Sequence, residues 1–207
     1  MIYRSFEDSN FSDNVILDII WENKEALPVV YNRCIEYYKN KNYNFLVFVH
    51  DDVYLDDKKL VEKLQKSVDE CGYDIVGLAG ALNPKIKHPA LWHIMSERHD
   101  HRGQVQHPVN EKQTFYTAFG PTPSRVAIID GVFFAINLKK ITEVGWKFNE
   151  NYAFHHYDIS SCLDANKLKL KIGVYPIHII HLSPGLKSFD DKNWKESNQK
   201  FLLEYGS

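Results

Sequence analysis

The sequence predicts an α/β domain with a mostly parallel sheet flanked by helices, on three observations. Short apolar runs of strand type alternate with amphipathic helical segments over residues 15–79, the pattern of parallel strands joined by crossovers. The run Phe45-Leu46-Val47-Phe48-Val49 is apolar throughout, as expected of a strand buried on both faces. It leads straight into His50-Asp51-Asp52, and the space beyond the carboxyl ends of buried strands is where open α/β sheets bind their ligands.

The 207 residues suffice for one sizeable core and are short for two, so a single domain is expected. An apolar content of 44% with 14% aromatic belongs to a globular chain, and a formal charge of −2 gives no electrostatic reason to expect nucleic acid. Cys34, Cys71 and Cys162 are widely spaced within helical apolar patterns, which argues against a disulfide framework or a zinc site and for a reducing, cytoplasmic setting. No leader pattern is evident at the start, and no apolar run approaches the roughly 20 residues that span a bilayer. Peripheral membrane association stays open.

Each element has its own local reason. Residues 15–20 are an apolar run broken only by Asp18 and are expected as the first strand. Pro28 sits where the first turn of a helix accepts proline, and Leu27, Val30, Tyr31, Cys34, Ile35 and Tyr38 recur at helical spacing. After the strand 45–49, Asp56 or Asp57 is placed to cap a helix carrying Leu60, Val61, Leu64, Val68 and Cys71 on one face, with Gly72 as its stop. Residues 75–79 are expected as the third strand.

Periodicity is lost over residues 83–123, where His88, His93, His99, His101 and His107 mix with Pro84, Pro89, Pro108, Pro121 and Pro123. About forty residues without an element exceed ordinary connections, so this stretch is either a functional loop or holds elements that pattern alone does not reveal. The histidine spacings match no helical ligand pair, which disfavours a metal cluster here. Trp92, Phe115, Tyr116 and Phe119 are instead available to stack on a flat ring or a sugar face.

Order returns with strand segments at 126–129 and 132–136, separated by Asp130-Gly131, where the glycine allows a bulge, a close backbone approach or a plain turn. A short helix is expected over 138–144, ending at Gly145, and another to 168, beginning at or just after Asp158. Short strands at 172–175 and 178–182 flank Pro176. Beyond Pro184-Gly185, Phe189, Trp194, Phe201, Leu202 and Tyr205 are the apolar points of a tail helix expected to fold back over the sheet.

Three separated features carry the chemistry: Asp51-Asp52 at a strand end, Asp158 at a helix start and His181 at the end of a late strand. Adjacent carboxylates suit a hard divalent cation that neutralises a phosphate, a carboxylate serves as general base, and neutral imidazole is a common further ligand for a manganese-like ion. The competing readings make Asp158 a plain helix cap and His181 an internally satisfied histidine.

Four ordered blocks carry a more specific likeness. These are Phe48-Val49-His50-Asp51-Asp52-Val53-Tyr54-Leu55 preceded by Tyr31-Asn32, then Asp130-Gly131-Val132-Phe133-Phe134-Ala135, Phe154-His155-His156-Tyr157-Asp158-Ile159, and Lys171 to Pro176 with Ile180-His181-Leu182-Ser183-Pro184-Gly185. Together they resemble the glycosyltransferase-like families of GT-A fold, related to the large family-two group. The resemblance implies a Rossmann-like, mixed but mostly parallel sheet in a single domain over 1–207. Its nucleotide-sugar-binding half is expected over 1–82, its acceptor half over 83–185 and its tail over 186–207.

What the likeness implies for activity is metal-dependent transfer of a sugar, with inversion, from a nucleoside-diphosphate sugar to a hydroxyl acceptor. A UDP-sugar is the expected donor, a growing glycan the expected acceptor, and Mn2+ or Mg2+ the cofactor. Asp52 matches the last acid of the family's Asp-x-Asp metal motif, and His181 the late histidine that joins it. Asn32, Asp51 and Asp52 fall to the donor nucleotide. Asp158 matches the acceptor-side acid that is the base in inverting members, and Asp130, Gly131, Trp92 and His156 fall to the acceptor. The chain departs from the pattern at His50, which stands where the motif has its first acid, and at Tyr157, which replaces one carboxylate of the acidic pair before the acceptor helix.

Two other classes are in play. A nucleotidyltransferase would carry a glycine-rich basic phosphate loop near its first strand, and none is visible. A non-catalytic sugar-binding module fits the incomplete motifs.

Overall fold

A computed structural model describes residues 2–9, 11, 15–110, 113–183 and 189–206. The chain begins with helix α1 (Ile2–Ser9), which the polar composition of this stretch conceals. Ser9 Oγ donates to the Leu55 carbonyl and the Tyr54 hydroxyl to Asp8, so polar bonds as well as Ile2 and Phe6 fasten this helix to the body. Residues 15–20 form no strand. They alternate between half-buried and exposed, with Ile16 and Ile20 open to solvent, and Asp18 accepts a hydrogen bond from the Tyr38 hydroxyl instead of joining a ladder.

Helix α2 (Leu27–Tyr38) starts with Pro28 in its first turn and buries Val30, Tyr31, Asn32 and Ile35. Strand β1 (Phe45–Val49) turns at Asp51-Asp52 into β2 (Val53–Leu55), and α3 (Leu60–Asp69) follows. Asp57, not Asp56, organises the entry to α3: its carboxylate accepts from the Lys59 and His178 N–H groups and from Lys63 Nζ. Gly72 takes φ +68° just past the end of α3, the left-handed conformation that suits a residue without Cβ. The apolar run 75–79 divides into β3 (Ile75–Gly77) and β4 (Ala79–Ala81), which lie in different sheets.

The stretch expected to lack periodicity contains a 3-10 turn (Arg98–Asp100) and a long hairpin, β5 (His101–Asn110) with β6 (Gln113–Gly120). Much of the hairpin stands in solvent on both faces, so it shows none of the apolar alternation that betrays a half-buried strand. Pro108 lies at a register shift, one of the few places a strand tolerates it. Then come β7 (Ser124–Val126), β8 (Ile128–Ile129), β9 (Phe133–Asn137), α4 (Leu138–Val144), α5 (Tyr157–Lys167), β10 (Ile172–Val174), β11 (Ile179–His181) and α6 (Lys192–Tyr205). Asn137 caps α4 and Asp191 caps α6 through their side chains. The Pro184-Gly185 turn lies outside the described residues.

The strands form two sheets, in the orders β1-β9-β3-β10-β7 and β2-β11-β5-β4-β8, with β6 added to β5. Among the described residues only β3 with β10 and β5 with β11 pair in parallel, and every other pair is antiparallel. The architecture is therefore mixed α/β, and the expectation of a mostly parallel sheet is corrected. The expectation that Phe45–Val49 is buried on both faces is corrected with it: β1 is an edge strand, fully buried only at Phe48 and half-buried along the rest. β1 has β9 as its one ladder partner among the described residues, and β9 runs opposite to it. Helix α6 does fold back, but onto loops: Trp194 packs on His88 and His156, and Phe201 on Tyr152 and His156.

Candidate active site

Antiparallel pairing of β2 with β11 sets Val53 opposite His181, and the Leu182 N–H donates to the Asp52 carbonyl at 3.0 Å. The turn after β1 is thereby held against the end of β11, and Asp52 Oδ1 lies 3.6 Å from His181 Nε2. His50 completes a group whose candidate ligand atoms all lie within 4.8 Å of one another. Asp52 Oδ1 is buried and has no hydrogen-bond partner, an orphan that burial makes costly unless a cation meets it. Desolvation lowers the His181 pKa, with Asp52 pulling the other way, so burial favours the neutral imidazole, the form with a lone pair to offer. One carboxylate with two imidazoles is a donor set that fits a divalent cation.

The sequence pointed to Asp52 and His181 but counted His50 as the absence of an acid. Its signal was present: a histidine two residues before Asp52 at a strand end. The cluster draws His50 and Asp52 from the segment assigned to the donor and His181 from the segment assigned to the acceptor.

Beside the cluster, the corner between β8 and β9 is gripped from several sides. Asp130 Oδ1 accepts from the Val132 N–H at 2.9 Å, and Oδ2 from Trp92 Nε1 at 3.0 Å. The Gly131 N–H donates to Asp158 Oδ2 at 2.9 Å, while its carbonyl accepts from the Tyr157 hydroxyl at 3.0 Å. A Cβ on Gly131 would lie 2.4 Å from that hydroxyl oxygen, so the close approach requires glycine. The residue at the cap position of α5 is His156, at φ +66°; Asp158 sits in the first turn, where the helix N-terminus favours negative charge.

The carboxyl of Asp158 is nonetheless pushed up to about 7, by desolvation first and by the charge of Asp130 second, against the opposing pull of the Ile159 and Gly131 N–H groups. A carboxylate that takes up and releases a proton near neutrality is suited to general-base work.

Other expected site residues are placed differently. Asn32 lies under residues 148–150, its amide donating to the Phe148 carbonyl and Glu150 and accepting from the Phe148 N–H. His156 is buried beneath α6, bonded to Ser197 Oγ at 2.8 Å, stacked on Phe201 and lowered to about 4 by desolvation. Trp92 is buried against His93, His101 and Phe119, so it braces Asp130 and offers no open face for stacking. Asp51 is exposed on the turn. Half-exposed aromatic faces lie on the hairpin instead, at Phe115 and Tyr116, and His107 bridges Phe115 and His181 at ring distances of 5.5 and 5.9 Å. Among the described residues, none of the histidines from 83–123 joins a group of metal-ligand spacing.

A family model described as a glycosyltransferase-like family matches residues 14–205. No curated protein matches the chain.

Proposed function

The chain belongs to the glycosyltransferase-like family, and from that premise we propose that it moves a sugar from a nucleoside-diphosphate sugar to a hydroxyl acceptor, with Asp158 as general base. The observation that carries the reading is Asp158 itself, a carboxylate with its pKa raised toward neutrality and bonded to the N–H of Gly131, whose carbonyl Tyr157 ties to His50 of the cluster. Asp52, His181 and His50 would hold a divalent cation, which when bound supplies positive charge to a departing diphosphate. Asp51, exposed on the same turn, is left to face the ribose or the diphosphate.

On the acceptor side, Asp158 takes the proton of the attacking hydroxyl, and the two backbone N–H groups hold the carboxylate in place while it does so. Asp130, braced by Trp92, keeps Asp158 basic enough for this. A single displacement by that hydroxyl from the face opposite the leaving group inverts the anomeric centre. A UDP-sugar donor and a glycan acceptor are the substrates this reading takes.

The test measures turnover of a panel of nucleoside-diphosphate sugars with and without Mn2+. Metal-dependent turnover of one donor supports the reading, and binding of free sugar without turnover of any donor would replace it with a sugar-binding module. No helix among the described residues is long and apolar enough to cross a membrane.

A further inference from the structure

Gly131, Tyr157 and His50 form a hydrogen-bonded chain that the transfer step does not use. The Tyr157 hydroxyl donates to the Gly131 carbonyl at 3.0 Å and lies 3.3 Å from His50 Nε2. A phenol has one proton to give. With that proton on the Gly131 carbonyl, the hydroxyl meets His50 as an acceptor. A bond to that acceptor needs a proton on His50 Nε2, which in the neutral ring leaves the lone pair on Nδ1.

We propose that Tyr157 is a positioning residue that fixes His50 in the Nε2-protonated tautomer and so leaves Nδ1 as the nitrogen available to a divalent cation. This rests on the cation reading of the His50–Asp52–His181 group.

The chain is locked from each end. The Tyr157 ring is buried and packs edge-on against Tyr31, with centroids 5.8 Å apart and planes at 72°. The two phenols are also hydrogen-bonded to each other. With Tyr31 as the donor, the Tyr157 oxygen accepts from Tyr31 and His50 and still gives its one proton to Gly131. The His50 ring stacks on Phe154 at 5.9 Å and 27°. The space around the Gly131 carbonyl has no room for a Cβ, which would meet the Tyr157 hydroxyl oxygen at 2.4 Å. Glycine at 131 is what lets the phenol reach both partners. Partners of this kind set the tautomer and orientation of a ligating histidine, and their loss typically weakens metal binding about 10- to 100-fold.

Two measurements test it. The first reads the His50 tautomer in the metal-free wild type by 15N NMR, the resonance being assigned by its loss in His50→Gln. A proton on Nε2 is expected; a proton on Nδ1 overturns the proposal, and no variant has to fold for this arm beyond the one used for assignment. The second titrates Co2+ and Mn2+ into the wild type and Tyr157→Phe, with thermal unfolding as the check on folding. The phenylalanine variant keeps the ring and removes only the hydroxyl, so about 10- to 100-fold weaker binding with a mixed His50 tautomer is expected. Equal affinity in a folded Tyr157→Phe overturns the proposal, since a purely structural role would move the melting temperature alone. A wild type that binds neither ion overturns the cation reading itself and this role with it.

Discussion

Asp158 and Gly131 share a hydrogen bond of 2.9 Å between carboxylate and backbone N–H, and this bond ties the first turn of α5 to the corner between β8 and β9. The same glycine receives the Tyr157 hydroxyl on its carbonyl. One residue thus meets the proposed base with its N–H and, through Tyr157, His50 of the cluster with its carbonyl.

Replacing Asp158 with asparagine keeps the size of the side chain and removes its ability to accept a proton. Transfer should fall by about 10²- to 10⁴-fold while donor binding survives. Steady-state rates alongside calorimetric titration of the donor nucleotide separate the two. Parental transfer by the variant would move the base elsewhere, with Asp130 next in line.

The same carboxyl predicts a pH dependence of stability. Its pKa is raised from 3.8 to about 7 on folding, so between these values the folded state holds a proton that the unfolded state has released. The group's contribution is therefore full below pH ~4 and is lost as pH rises through ~7. Denaturant unfolding from pH 4 to 7 should show a downward slope in stability that is shallower in Asp158→Asn. Equal slopes in the two proteins would mean that Asp158 is ionised throughout.

Asp130→Asn removes the negative charge that faces Asp158 and keeps one acceptor oxygen, enough for Trp92 Nε1 or for the Val132 N–H but not for both. The Asp158 pKa should drop, and the rising limb of the pH–rate profile should move to lower pH. An unmoved limb would assign the raised pKa to desolvation alone.

Asp52→Ala removes the orphaned carboxylate oxygen. Binding of a nucleoside diphosphate should then lose its dependence on Mn2+, because two imidazoles alone hold such an ion poorly. Nucleotide bound as tightly as by the parent in manganese would take the cation away from Asp52.

Phe201→Ala tests the tail. Phe201 is fully buried against Tyr152, His156 and Tyr205, so truncation should destabilise the fold by about 3–5 kcal/mol in urea unfolding. A loss below ~1 kcal/mol would show that α6 contributes little to holding the loop that precedes Asp158.

What the sequence by itself determined is the set of buried segments and the chemistry at their ends. Helices α2 and α3, strand β1 and the late strands β10 and β11 are legible because burial imposes a period or an unbroken apolar run on each. Asp52, Asp158 and His181 are legible because a carboxylate or imidazole at the end of a buried element is rarely placed there for solubility. The tertiary structure alone decided which direction the strands run, since β1 is equally apolar beside a parallel or an antiparallel neighbour. It alone revealed the β5–β6 hairpin, which buries Val105 and packs Phe119 on the core at its base but leaves residues 108–110 and 113–116 exposed, too little burial to impose a pattern. It turned Trp92 from a stacking face into a brace for Asp130, and put Asn32 and His156 to work inside the fold, because hydrogen-bond partners more than a hundred residues away for Asn32, and across α6 for His156, are set by packing and not by local order. The place of His50 in the cluster was decided the same way: a histidine becomes a candidate ligand only when a distant strand brings His181 to meet Asp52.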